Sequence, residues 1–148
     1  MTSRSRYRLL LPQSIYDEMV AHARNQLPAE CCGLLAGKPG EPLAMPAALS
    51  VGRYYPLGNA LASPTEYESE SRSLIAAFRD MRERQWELLA IFHSHPTSPP
   101  KPSSTDLERN YYGDTVMHLI LSLSGPAPEL RGWWLLETDS EEAEWAIA

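Results

Sequence analysis

The stretch LLAIFHSHP at residues 88 to 96 constrains this chain more than any other. Its apolar residues Leu88 to Phe92 run without a gap and predict a core strand. That strand turns polar at its C-terminal end, where sites in sheet proteins with covering helices tend to sit. Side chains two apart along a strand share a face, so His93 and His95 can aim at one ion while Ser94 points away. A His-x-His pair alone carries little weight, because most such pairs have surface or packing roles. This pair gains weight from its position at the rim of a core strand.

Around that strand the chain alternates elements. Tyr7 to Leu11 is a short apolar stretch. Pro12 and Ser14 open a helix with Ile15, Tyr16, Met19, Val20 and Ala23 at helical spacing. CCGLLAG at 31 to 37 reads as a buried strand closed by glycine, and a second strand is predicted within Pro42 to Val51, followed by a loop through Pro56, Gly58, Asn59 and Ser63-Pro64. From Ser71 to Trp86, Leu74, Ile75, Phe78, Met81 and Trp86 follow a helical period with charges between them. A third helix starts near Ser103 or Ser104. Strands are predicted at 115 to 123 and 130 to 137, and AEWAIA adds a last one. Helices alternating with strands predict an α/β fold, one mixed β-sheet covered by helices, rather than a sandwich or a bundle.

With 148 residues the chain is expected to form a single domain spanning 1 to 148, and a chain of this size buries roughly 70% of the surface its unfolded form exposes. Thirteen basic against nineteen acidic side chains leave a net charge of -6, which argues against a nucleic-acid partner. No run approaches a membrane span, and Leu9 to Leu11 is too short for a signal peptide. The only cysteines, Cys31 and Cys32, are adjacent and cannot staple distant parts of the chain, so a reducing cytoplasm is the simplest home.

Asp106 lies thirteen residues beyond His93 in HSHPTSPPKPSSTD. Two imidazoles and one carboxylate suit a single divalent metal, and three such donors leave one coordination position free, as catalytic sites do. Asp106 also fits a helix start, since Ser103-Ser104-Thr105-Asp106 after Pro102 reads as a capping box. The two roles can coexist, because a carboxylate in a first helical turn is held ionised by the helix dipole. Ser103 could cap that helix or donate to an oxyanion. Glu30 stands at the mouth of the CCGLLAG strand, where an acid without solvent or a partner costs free energy. Cys31 and Cys32 are read as core residues. His118 is read as a bonded or exposed strand histidine, and His22 lies on a helix face.

The set Glu30, His93-Ser94-His95-Pro96, Ser103 and Asp106 resembles the JAMM (MPN-plus) metalloprotease family, whose pattern is an upstream Glu, H-[ST]-H-P, a short spacer and S-x-x-D. PAECCGLLAG, the loop with Asn59, Ser63 and Tyr67, and a strand ending in Ser122 are similar to its small prokaryotic members. The resemblance implies a three-layer, cytidine-deaminase-like MPN fold. It implies Zn2+ held by His93, His95 and Asp106, Glu30 as general base and Ser103 as oxyanion donor. It also implies a zinc metallopeptidase that hydrolyses a peptide or isopeptide bond at the C-terminal tail of a small ubiquitin-like or sulfur-carrier protein. The few residues from Leu107 to Asp114 leave little room for the insertions of relatives that remove ubiquitin. A homodimer is left open. Three rivals are a non-catalytic MPN-type scaffold, a RadC-like protein, and a non-haem iron oxygenase, which also uses two histidines and a carboxylate.

Overall fold

The computed structural model describes residues 6–39 and 47–148. Its elements are β1 (Arg8–Leu11), α1 (Gln13–Asn25), β2 (Cys32–Gly37), β3 (Ala48–Ser50), β4 (Arg53–Leu57), α2 (Ser71–Arg84), β5 (Glu87–His95), α3 (Ser104–Glu108), β6 (Met117–Ser122), β7 (Glu129–Leu135), β8 (Ser140–Ala143) and β9 (Trp145–Ile147). The expected second strand is seen as β3, and the 42–46 part of that expectation lies outside the described residues.

The architecture is α/β, as expected, but with two sheets. The six-stranded sheet has the order β4-β2-β5-β6-β7-β8, and a small sheet has the order β3-β1-β9. In the larger sheet only the β5–β6 pair is parallel; its other neighbours are antiparallel. A parallel pair needs a crossover. Here the crossover is the segment from Pro96 to Val116 that carries α3 and Asp106. The AEWAIA strand does form, but as β9 it runs parallel to β1 in the small sheet.

One face of the large sheet packs Leu35, Phe92, Leu119, Leu121 and Trp134 against Ile15, Met19 and Ala23 of α1 and Leu9 and Leu11 of β1. The opposite face packs Leu34, Ala36 and Ile91 against Ala77 and Met81 of α2, and Ile120 and Leu135 against Leu107 of α3. Three layers result. Opposite β2, β5 advances from Leu88 to Ala90 while β2 advances by one residue, from Ala36 back to Leu35. Leu89 is therefore the extra residue of a bulge, and both Leu89 and Ala90 join the α1-side core.

Three expectations need correction. The loop through Pro56 is in fact preceded by β4, which contains Pro56 and lies at the sheet edge. Proline is tolerated in a strand where its missing N–H faces no neighbour. The long helix stops at Arg84, because Gln85 takes a left-handed conformation with φ 59° and turns Trp86 out of the helix. Ile75, expected on the apolar stripe, is 59% exposed.

Candidate metal centre

Strand β5 delivers two of the three expected ligands as its alternation demands. His93 and His95 are both buried, and their Nε2 atoms lie 3.1 Å apart. Asp106 Oδ2 stands 3.2 Å from each of them. Tetrahedral coordination at metal–ligand distances of about 2.0 Å places ligand atoms about 3.3 Å apart. Three donors in a triangle of nearly that edge fit one ion. His93, His95 and Asp106 form the one such group among the described residues.

Each donor is braced by contacts from the protein itself. His95 Nδ1 is 2.8 Å from the Pro99 carbonyl; a carbonyl only accepts, so Nδ1 carries a proton and Nε2 is the nitrogen turned to the cluster. The carbonyl oxygens of the proline-rich loop are tied down in series. Ser122 Oγ donates to Ser98 at 2.7 Å, His95 to Pro99, and the Trp133 indole to Pro100 at 2.8 Å. The ring of Tyr67 stacks on that of His93 at 4.8 Å. Asp106 fills the capping role expected of it while its carboxylate faces the two histidines. Its Oδ2 accepts the Ser103 N–H at 2.8 Å while the Asp106 N–H donates to Ser103 Oγ at 3.0 Å, a complete capping box at the start of α3. Its carboxyl is held well below the usual range: burial opposes ionisation, but His93, His95 and the Ser103 N–H outweigh it.

Glu30 immediately precedes the buried Cys31-Cys32 pair and is itself only 3% exposed. Its backbone is pinned on both sides: its N–H donates to the Ser63 carbonyl at 2.7 Å, and its carbonyl accepts from Asn59 Nδ2 at 3.0 Å. Its carboxyl oxygen Oε1 has no hydrogen-bond partner. Burial pushes this carboxyl up to about 8, with His95 favouring the ionised form and Asp106 opposing it. The register of Cys32 against His93 and of Cys31 against Ser94 sets Glu30 opposite His95, at the edge of the cluster.

Ser94 points away from the cluster, as strand alternation requires, and its role there was not legible in the sequence. Its Oγ accepts the Cys31 N–H at 2.8 Å, and its N–H donates to the Cys31 carbonyl at 3.0 Å. The residue between the two histidines therefore braces the residue after Glu30. Asn59 is a second such residue. Its amide also donates to the Glu66 carbonyl, and its Oδ1 accepts from Leu61 and Glu68. A turn-forming Asn between glycine and the loop apex was the available signal.

The two cysteines are buried and free, as expected. His22 sits on α1 and meets the Tyr54 hydroxyl at 2.6 Å. His118 departs from its expected bonded or exposed state: it is 4% exposed and its Nε2 has no partner. The surrounding TVMHLIL pattern gave no hint, because a strand covered on both faces buries every position.

Residues 12–136 match the family described as prokaryotic homologs of the JAB domain. The chain is 30% identical over 131 residues to a CysO-cysteine peptidase of Mycobacterium tuberculosis, covering 88% of this chain and 85% of that protein. It is 32% identical over 123 residues to a desampylase of Haloferax volcanii, covering 80% and 83%. A solution structure of a Desulfitobacterium hafniense protein superposes with a TM-score of 0.82 at 33% identity, over 95% of this chain and 92% of that one. These matches span both the strand that carries the histidines and the segment that carries Glu30, and with them the chain belongs to the small prokaryotic branch of the JAMM (MPN-plus) family, the prokaryotic homologs of the JAB domain.

Proposed function

We propose that the protein is a zinc-dependent peptidase or isopeptidase that hydrolyses an amide bond at the C-terminal tail of a small ubiquitin-like or sulfur-carrier protein. The observation that carries this reading is the partnerless, buried Glu30 oxygen beside three converging donors. A purely structural metal site closes with four protein ligands and needs no free base. The names of the relatives, a CysO-cysteine peptidase and desampylases, support the same class of substrate.

His93, His95 and Asp106 would hold the zinc. When bound, zinc supplies Lewis acidity, which acidifies water and polarises a carbonyl. Glu30 takes the proton from the attacking water and passes it to the departing amine. A buried carboxyl with an elevated proton affinity suits both halves of that transfer. The Ser103 oxygen already accepts the Asp106 N–H, so its own hydroxyl proton is available to the oxyanion of the tetrahedral intermediate. The two buried, unpaired cysteines support a cytoplasmic setting; among the described residues no helix is long and apolar enough to cross a membrane.

The test uses the purified protein and a small carrier protein extended past its C-terminal glycines, with cleavage read by mass spectrometry and metal by elemental analysis. Glu30→Gln keeps stoichiometric zinc and loses about a hundredfold to ten-thousandfold in turnover. His95→Ala loses the metal, and Ser103→Ala keeps it with about a hundredfold slower turnover. Equal rates for wild type and Glu30→Gln would refute the assignment of the base.

A further inference from the structure

On the α2 face of the large sheet, beside the metal cluster, lies a cavity of about 370 Å³ whose lining includes His93 and Asp106. The sheet floor of this cavity is formed by Leu34, Ile91 and His118, and Leu57 and Leu74 complete its apolar walls. His118 pairs with Ile91, two residues short of His93. It therefore lies deeper along the strands than the cluster, by about 6.6 Å at ordinary strand rise. His118 is 4% exposed, it lines this cavity, and its Nε2 bonds to nothing in the protein.

We propose that this cavity is a side-chain subsite of the enzyme, taking a substrate residue with an apolar body and an uncharged hydrogen-bonding tip, such as tyrosine, whose tip meets His118 Nε2. Its volume is in the range of pockets that enclose small organic groups. The walls next to His118 are hydrocarbon, which an aliphatic or aromatic body matches. The charged groups of the lining, Glu66, Glu68, Asp106 and Arg109, come from the loop before α2 and from α3 and its end, not from the sheet floor. A charged tip would thus be desolvated at the floor, away from the side chains that could pair with it directly. His118 is itself neutral, since burial pushes its imidazole down to about 3. A buried ring nitrogen without a partner is a standing cost to the fold that leucine at the same position would avoid. A site built around such a nitrogen favours ligands that can bond it over those that cannot.

Assigning the cavity to substrate rests on the hydrolase reading, whereas its chemistry can be tested without cleavage. The probes are p-cresol and toluene, which share an apolar body and differ in the hydroxyl, titrated into the full protein while the His118 ring resonances are followed by NMR. We expect p-cresol to shift those resonances and to bind about fivefold more tightly than toluene, the effect of one neutral hydrogen bond. His118→Leu should bind the two equally, and His118→Gln, which keeps a hydrogen-bonding tip, should retain the preference and guard against a folding artefact. An unshifted His118, equal binding in the wild type, or a preference that survives in His118→Leu overturns the proposal. Acetyl-Tyr-Gly-Gly-amide and acetyl-Gly-Gly-Tyr-amide then compete with p-cresol, and the one that displaces it shows which side of the scissile bond enters. If neither displaces it, the cavity is not a substrate subsite. A protein that binds p-cresol at His118 yet cleaves no carrier tail sinks the hydrolase reading instead.

Discussion

The two faces of the six-stranded sheet are built to different rules. Against α1 and the small sheet, polar atoms that enter the core are paired: the Tyr7 hydroxyl donates to the Leu89 carbonyl and accepts from the Met117 N–H, and Ser94 accepts from Cys31. On the other face and at its rim, Glu30 Oε1, His93 Nδ1 and His118 Nε2 are buried without partners, and a cavity opens that His93 and His118 line. Close packing with every polar group paired maximises stability. Orphaned polar atoms beside a void lower it, and they persist where the groups serve a ligand. One face supplies the rigidity on which the other depends.

The contrast can be broken most forcefully from the packed side. Phe92 is fully buried against α1, and Phe92→Ala should cost about 3–5 kcal/mol in urea unfolding. A loss below about 1 kcal/mol would show that this face is not the close-packed one. On the site face the sign should reverse. In chelator-treated protein, Glu30→Gln should raise stability by about 1–3 kcal/mol at neutral pH, because it removes a buried carboxyl that must take up a proton on folding. The pH dependence sharpens this. The folded carboxyl is raised to about 8 from its usual 4.5, so the wild type is favoured below the lower value and loses stability as pH rises through the upper one. Glu30→Gln should lack that decline, and parallel curves for the two proteins would contradict it.

His118 should show the opposite slope. Its folded value is lowered to about 3 from 6.5, so its contribution is intact above the higher value and drains away as pH falls toward the lower one. His118→Leu should flatten the acid limb and gain about 1 kcal/mol near pH 5, read from urea midpoints. The smallest effect belongs to the outer surface of α2. Ile75 is exposed, and Ile75→Gln should change stability by less than about 0.5 kcal/mol; a larger loss would mean that this helix face is covered in solution.

The parts of the fold set by local pattern were legible. The core strand, the helix from Ser71, the capping box at Ser103 and Asp106, and the strand at CCGLLAG each follow from short-range periodicity or cap chemistry, and each is where it was expected. What escaped depends on partners distant in sequence. β4 and β8 are sheet edges, and an edge strand needs no continuous apolar run, so Pro56 and SEEA gave no strand signal. The small sheet joins β1, β3 and β9 from both ends of the chain. Period alone put Ile75 and Trp86 on one stripe, but neither the width of α2's contact nor the left-handed turn at Gln85 was visible in it. For the site, the three converging donors were legible from residue type and spacing. The Ser94 brace, the Tyr67 stack and the burial of His118 were not, because each arises where strands and loops meet.

The capping box at α3 has a consequence for the three donors. Asp106 Oδ2 is already engaged by the Ser103 amide when it faces the histidines. The third arm of the claw is thus anchored by its own helix. For the aspartate to drift from the two histidines, that cap would have to open as well, so the shape of the cluster is tied to the first turn of α3.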